Sequence, residues 1–311
     1  MLKLCIVVPC FNEEATLPET TRRLLGLLRD LQAKNKIDRL SELVFVDDGS
    51  VDSTWTLIEQ LAREHENVHG RKLSRNRGHQ NALLAGLFST DGDAVITIDA
   101  DLQDDIVAIE QMVDGYHAGY DIVYGVRSGR EADTALKRIS AEAYYRALAL
   151  MGVDLVFNHA DFRLLSRRAI RALSEYGEVN LFLRGIIPQL GFPSTVVRYE
   201  RQRRLAGETK YSLRKMFSLA IEGVTSFSAI PLRVVTVLGI TVFAISILLG
   251  LWAVAIKLFT TQAVPGWAST VIPAYLLGGV QLLGIGIIGE YLAKIYLETK
   301  RRPRSHIEKS I

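Results

Sequence analysis

The sequence predicts an α/β domain with a mainly parallel sheet, followed by a C-terminal hairpin of two transmembrane helices. In the N-terminal part, apolar runs of strand length alternate with segments of helical periodicity, as in a parallel sheet covered on both faces. In the C-terminal third, two apolar runs are each longer than the roughly 20 residues that a membrane helix needs. The mean hydropathy is positive although 23% of the residues are charged, so apolar residues must be concentrated in one region.

Length and composition exclude several classes of protein. A chain of 311 residues corresponds to roughly two domains. Its net charge of +3 is too small to indicate nucleic-acid binding. The two cysteines, Cys5 and Cys10, cannot form the disulfide framework of a secreted protein, and they fit a reducing compartment. We expect no N-terminal signal peptide, because the apolar stretch 1–9 is too short for one.

Strands and helices are predicted to alternate along the first part of the chain. Apolar runs predict strands at residues 4–9, 43–46, 69–73, 94–98 and 122–124. Helical periodicity predicts a first helix through Leu17, Leu24, Leu28 and Leu31, and further helices at residues 53–66, 78–89 and 104–117. Because ligands of such sheets bind beyond the carboxyl ends of the strands, the polar residues there form the candidate site.

The two apolar runs, residues 234–256 and 268–289, contain no charged side chain. A pair of buried core helices is the alternative, but core helices of this length normally carry a polar face. Basic residues outnumber acidic ones on both flanks of the pair, and the connecting loop is uncharged. This bias predicts that both flanks lie in the cytoplasm and the loop outside, in a multi-pass protein of the inner cell membrane.

These patterns divide the chain into six predicted parts. They are a cytoplasmic domain (1–210), amphipathic juxtamembrane helices (211–232), a first transmembrane helix (233–257), an external loop (258–267), a second transmembrane helix (268–292) and a basic cytoplasmic tail (293–311). The apolar stripe of residues 211–230 fits a helix at the membrane surface and equally a helix packed on the globular domain. The sequence leaves both interpretations open.

Acidic and amide side chains follow three of the predicted strands, at residues 12–14 (NEE), 47–50 (DDGS) and 99–104 (DADLQD). Acids clustered at one edge of a sheet repel each other unless a cation neutralises them. Asp99, Asp101 and Gln103 offer oxygen ligands at alternate positions, a donor set that suits Mg²⁺ or Mn²⁺. The sequence therefore predicts a divalent metal site after the strand 94–98.

Six short motifs occur in an order that resembles one enzyme family. They are VPCFNEE (8–14), VDDGSVDST (46–54), NRGHQ (76–80), DADLQ (99–103), HADFRL (159–164) and GETKY (207–211). The first, second and fourth resemble inverting family 2 nucleotide-sugar glycosyltransferases. With the apolar hairpin, the whole set is similar to polyprenyl-phosphate glycosyltransferases, which include bactoprenol glucosyltransferases, undecaprenyl-phosphate formamidoarabinose transferases and dolichol-phosphate mannose synthases. The resemblance covers nearly the whole chain.

The resemblance implies a GT-A-type, Rossmann-like fold for the cytoplasmic domain and a hexosyltransferase activity of the EC 2.4 class. The implied reaction moves a sugar, with UDP-glucose as the first donor to consider, onto undecaprenyl (polyprenyl) phosphate in O-antigen or other cell-envelope glycosylation. Another donor such as GDP-mannose or UDP-formamidoarabinose, another lipid acceptor such as diacylglycerol, and an inactive membrane scaffold are the alternatives. The intact Asp99, Asp101 and Gln103 disfavour the scaffold. A homo-oligomer is also implied, for which a tetramer is one form.

The resemblance also assigns roles to individual residues. The residues implied in nucleotide-sugar binding are Pro9, Phe11, Glu13, Val46, Asp48, Asp99, Ala100, Asp101, Arg127, Arg204 and Lys210. Those implied in metal binding are Asp99, Asp101 and Gln103. Arg127 would meet phosphate or sugar oxygens, whereas Arg204 and Lys210 would bind phosphates near the membrane. The implied catalytic residues are Asp101, Asp161 and Arg163, the last two on the acceptor side.

Some of these roles have alternatives. An acceptor phosphate is a monoester with a second pKa near 6, so it is largely ionised at neutral pH and needs no strong base. Asp161 would then orient the acceptor or take a residual proton, and its partner Arg163 would otherwise form a structural ion pair with it. His79 and His159 are interpreted as structural groups rather than metal ligands, because no Cys/His zinc spacing occurs.

Overall fold

The computed structural model describes residues 1–128, 159–178, 181–200, 230–259 and 266–311. Arg204, Lys210 and residues 211–229 of the amphipathic segment lie outside these ranges. The described strands are β1 (Leu4–Cys10), β2 (Glu42–Asp47), β3 (Val68–Leu73), β4 (Ala94–Thr97), β5 (Ile122–Arg127), β6 (His159–Ser166), β7 (Ser194–Tyr199) and β8 (Ile307–Ser310). They form one sheet in the order β7-β5-β6-β4-β1-β2-β3-β8.

The centre of this sheet is parallel, as predicted. Strand β1 pairs in parallel with both β2 and β4, and β2 pairs in parallel with β3. All five predicted strands are present, and β5 is longer than predicted. Strand β6, which the apolar pattern did not predict, is antiparallel to both β4 and β5. Its first half has the sequence HADFR, with polar and charged side chains, and so lacks the continuous apolar run that predicts a buried strand.

Helices cover both faces of the sheet. The described helices of the globular part are α1 (Leu17–Ala33), α2 (Thr54–Glu64), α3 (His79–Ser89), α4 (Ala108–His117), α5 (Arg167–Ser174) and α6 (Leu183–Gln189). Helices α1, α2 and α4 pack on one face, and α3, α5 and α6 pack on the other. Strand β1 is buried along its whole length, with Ile6 and Val8 facing the first layer and Val7 facing the second. Burial of these apolar side chains is the main stabilising contribution.

Two long helices follow, α7 (Ile230–Phe259) and α8 (Trp267–Thr299). Among the described residues, Leu277–Thr299 is the one segment long and apolar enough to cross a membrane, and little of it is buried. Leu232–Val242 of α7 is a shorter apolar stretch, so the predicted hairpin is supported only in part. The helices approach closely where a Cβ at Gly284 would lie 3.2 Å from Cγ1 of Val235.

The chain then returns to the sheet. Strand β8 pairs antiparallel with β3, and the N–H groups of Gly70 and Ile311 each donate to the carbonyl oxygen of the other, at 3.1 and 3.0 Å. Gly70 is required there, because a Cβ would lie 2.6 Å from Cγ2 of Ile58 and 3.0 Å from Cγ1 of Ile311. The sequence predicted only a basic tail for residues 293–311, since a four-residue strand with two charged side chains has no apolar period.

Candidate active site

The loops that follow β1 and β2 are bound to each other at the carboxyl edge of the sheet. The N–H of Asn12 donates to Oγ of Ser50 at 3.0 Å, and Oδ1 of Asn12 accepts from the N–H of Val51 at 3.0 Å. Asn12 has a φ of 56°, a left-handed conformation that asparagine tolerates better than most residues. The N–H of Glu13 donates to Oγ1 of Thr54 at 2.9 Å. The two loops therefore form one rigid rim.

Asp48, at the end of β2, holds the loop that precedes α3. Its Oδ1 accepts from the N–H of Arg77 at 2.7 Å, and its Oδ2 accepts from the N–H of Gly78 at 2.8 Å. Burial raises the pKa of Asp48 despite these two hydrogen bonds. Gly49, directly after Asp48, has a φ of 71°, and a Cβ on Gly49 would lie 2.6 Å from the backbone nitrogen of Asn76. Asp48 is thus fixed by two backbone donors.

Asp99 and Asp101 follow β4 at the same edge. Leu102 has a φ of 52°, and Oδ1 of Asp101 accepts from the N–H of Gln103 at 3.2 Å. Burial and the nearby acids Asp161, Asp104 and Asp101 raise the pKa of Asp99 to about 6. His79 opposes this shift only in part. Negative charge therefore accumulates where the sequence predicted a cation, and the carboxylate and amide oxygens fit a hard divalent ion.

Asp161 lies on β6, next to β4, and its carboxylate is surrounded by cations. Arg163 donates to Oδ1, and Nη2 of Arg184 lies 3.2 Å from Oδ2. Nε2 of His79 lies 3.6 Å from Oδ2 of Asp161 and 3.4 Å from Oδ1 of Asp99. Burial alone would raise the pKa of Asp161, but His79, Arg163 and Arg184 outweigh it and hold the pKa well below its usual range.

Two of these partners were not predicted as site residues. His79 begins α3 in the NRGHQ motif, and its contacts with two carboxylates raise its pKa against the effect of burial. Arg184 lies on the short helix α6, whose first N–H, from Leu183, donates to Oε1 of Gln80 at 3.0 Å. The NRGHQ string was a signal for His79, whereas no motif marks Arg184.

Arg127, predicted to meet phosphate or sugar oxygens, lies in a buried polar cluster. Its Nη2 is 2.9 Å from Oδ1 of Asp104, and the hydroxyl of Tyr199 donates to the same oxygen at 2.6 Å. The structure thus brings Arg127 to the end of β5 with Asp104 as its partner. Its contact with a ligand stays a prediction.

The remaining predicted residues divide by exposure. Pro9, Val46 and Ala100 are buried, and the carbonyl oxygen of Ala100 accepts from Oγ1 of Thr20 at 2.8 Å. Phe11 is 46% exposed on the rim next to Glu13. The site therefore has an acidic half around Asp99 and a cationic half around Arg184.

The mixed sheet, parallel at its centre and followed by acids after β1, β2 and β4, agrees with the GT-A-type fold that the sequence resemblance implied. The sequence model described as glycosyl transferase family 2 matches residues 5–174, and the chain belongs to this family. It is 50% identical over 308 residues to the uncharacterized glycosyltransferase YkoT of Bacillus subtilis, covering 98% of this chain and 91% of that protein.

The chain is also similar to a phage protein and, more distantly, to a solved structure. It is 42% identical over 306 residues to the bactoprenol glucosyl transferase of Shigella phage SfX, covering 97% of this chain and 98% of that protein. Among solved structures, glucosyl-3-phosphoglycerate synthase from Mycobacterium tuberculosis superposes with a TM-score of 0.46 at 20% identity. That superposition covers 72% of this chain and 76% of that chain.

Proposed function

We propose that this glycosyltransferase transfers a sugar, with inversion, from a nucleoside diphosphate to a polyprenyl phosphate, and that UDP-glucose is its donor. The observation that carries the proposal is the shared position of His79 between Asp99 and Asp161, with Arg184 bound to the same Oδ2 of Asp161 that His79 approaches. An acidic half next to a cationic half suits a cation-bound diphosphate beside a second phosphate. The bactoprenol glucosyl transferase relative supports the choice of lipid acceptor and of glucose.

The acidic half fits a divalent ion. Asp99, Asp101 and Gln103 would hold Mg²⁺ or Mn²⁺, since both ions prefer oxygen ligands. When bound, the ion supplies positive charge that stabilises the departing diphosphate. The rim residues Phe11 and Glu13 and the fixed Asp48 are proposed to receive the nucleoside, because they lie at the same edge of the sheet.

The cationic half is proposed to bind and orient the acceptor phosphate. A phosphate monoester is already largely ionised at neutral pH, so the site must attract and orient it rather than remove a proton. Asp161 is held ionised and fixes Arg163, Arg184 and His79. We therefore assign Asp161 an orienting role, in which it fixes the guanidinium of Arg184 towards the acceptor phosphate. Arg184 is 40% exposed and so remains accessible from solvent.

The membrane topology is part of the proposal. Strand β8 follows α8 and pairs with β3, so the globular domain and the segment after α8 lie on the same side of any membrane. Both zero and two crossings satisfy this condition. The two uncharged apolar runs of the sequence support two crossings, and we propose α7 and α8 as the membrane-spanning helices, with the globular domain in the cytoplasm. Arg204 and Lys210, in the basic segment before α7, are proposed to bind phosphates near the surface.

A donor panel tests the proposal. Purified protein in lipid bilayers is incubated with undecaprenyl phosphate and radiolabelled UDP-glucose, GDP-mannose or UDP-formamidoarabinose, and lipid-extractable label is counted. We expect transfer from UDP-glucose, with a β-linked product from the α-linked donor. Transfer only from another donor would overturn the assignment of glucose. Transfer from none of them, with Mg²⁺ and Mn²⁺ each supplied, would overturn the function.

A further inference from the structure

The segment that follows α8 is held by the globular domain at three places. Arg304 donates from Nε to the carbonyl oxygen of Glu178 at 3.1 Å, and from Nη2 to the carbonyl oxygen of Tyr176. The carbonyl oxygen of His306 accepts from the N–H of Ser74 at 3.0 Å. Strand β8 then adds to the edge of the sheet. The end of α8 is therefore joined to the globular domain within a few residues.

The loops that receive these contacts lead directly into the site. Tyr176 and Glu178 lie between α5 and α6, and α6 carries Arg184. Ser74 precedes the loop that Asp48 holds and that ends at His79, the first residue of α3. The helices that carry Arg184 and His79, two of the cations at Asp161, thus each follow a segment that contacts the chain after α8.

Arg304 differs from the basic residues next to it. Arg301 and Arg302 are exposed, as expected of side chains that only face an anionic lipid surface. Arg304 is partly buried, and burial lowers its pKa although Glu178 and Glu298 oppose that effect. Glu298 lies in the last turn of α8, so charges from the helix and from the loop meet at this guanidinium.

We propose that Arg304 is a positioning residue that fixes the globular domain to the end of α8. It thereby holds the site at the depth and orientation at which phosphates lie at the membrane surface. This inference rests on the proposed function, because it requires an acceptor carried by a lipid. The donor arrives from water in any orientation, whereas the lipid phosphate is confined to one plane. A loosened joint therefore multiplies unproductive orientations for the acceptor and leaves donor binding unchanged.

The test compares Arg304→Ala and Arg304→Lys with the matched control Arg302→Ala, all in the same bilayers with undecaprenyl phosphate. We expect the KM for the lipid to rise about fivefold or more in both Arg304 variants, with the KM for the donor within about twofold of wild type. Lysine does not restore function, since it lacks the planar fork that reaches two carbonyl oxygens. Equal losses in Arg302→Ala and Arg304→Ala, both sensitive to salt, would show general membrane attraction and overturn the proposal.

A second readout is independent of activity. Hydrogen exchange of the backbone amides in residues 176–178 and 183–189 should be faster in Arg304→Ala than in wild type, and unchanged in Arg302→Ala. Unchanged exchange in Arg304→Ala would contradict the joint itself. If exchange is faster in Arg304→Ala but the wild-type protein transfers no sugar to any polyprenyl phosphate, the contact of Arg304 with residues 176–178 is retained and the proposed function is rejected. A parallel rise in both KM values with a lower melting temperature would indicate a merely structural residue and overturn the positioning role.

Discussion

Arg184 on α6 reaches across the site to Asp161 on β6, with Nη2 3.2 Å from Oδ2 and Nε 3.5 Å from Oδ1. Arg163 binds the same carboxylate from within the sheet, where it is almost fully buried. Asp161 thus joins a fixed internal cation to one that is partly open to solvent. A single carboxylate therefore organises the cationic half of the site.

Replacing Arg184 should impair transfer without unfolding the protein. We expect Arg184→Gln to lower kcat/KM by roughly 100-fold, the effect of removing one donor to developing or bound negative charge. Because its side chain is 40% exposed, the unfolding free energy should change by less than about 1 kcal/mol. The control is Arg171→Gln, an exposed arginine on α5. Activity of Arg184→Gln within about threefold of wild type would remove Arg184 from the site.

Asp101 tests the acidic half. Asp101→Ala should abolish transfer and leave the protein folded and inserted, because a partly exposed carboxylate after a strand contributes little packing. Chelation should abolish wild-type activity, and Mg²⁺ or Mn²⁺ should restore it. Asp30→Ala, at an exposed position of α1, is the control. If Asp101→Ala kept activity within about tenfold, roughly 1.4 kcal/mol of barrier, the metal assignment would be wrong.

The acid stability of the globular domain should depend on Asp121. A hydrogen bond from Arg168 lowers the pKa of Asp121 against the effect of burial, and Ser166 adds a second donor with Oγ at 2.7 Å. Because the folded pKa lies below the unfolded value of about 3.9, this stabilisation is complete above that value and is lost as the pH falls through the folded pKa.

Thermal unfolding across pH measures this dependence. We expect Asp121→Asn to cost about 1–2 kcal/mol at pH 7 and distinctly less at the acid end, below roughly pH 4. Asp30→Asn, which is exposed, should show no such pH dependence. A cost of Asp121→Asn that stays constant down to the acid limit would reject the coupling to ionisation.

Cysteine labelling tests the topology with little background, because Cys5 and Cys10 are both buried. An impermeant thiol reagent added to intact cells should modify Thr260→Cys, in the predicted external loop. It should not modify Ser310→Cys, which lies in β8 beside Arg71. Permeabilised cells provide the control, in which both positions should react. Labelling of Ser310→Cys in intact cells would contradict the topology of two crossings with both ends in the cytoplasm.

The sequence predicted those features that depend on local patterns. Buried parallel strands have continuous apolar runs, so the positions of Asp48, Asp99 and Asp101 after those strands followed directly. Arg184 escaped prediction because its contact with Asp161 joins a short helix to a strand that carries polar residues. Strand β8 escaped because its pairing with β3 spans the whole hairpin, and nothing within four residues specifies so distant a partner.

An acceptor panel tests the central claim most directly. Purified protein in bilayers is given UDP-glucose and either undecaprenyl phosphate, undecaprenol or diacylglycerol, and the lipid products are measured by mass spectrometry, with Asp101→Ala as the blank. The account predicts a phosphate-linked glucosyl lipid from undecaprenyl phosphate and no product from the two alcohols, since several cations around one carboxylate favour an anionic acceptor over a neutral one. Glucosylation of diacylglycerol or undecaprenol at a comparable rate would contradict it.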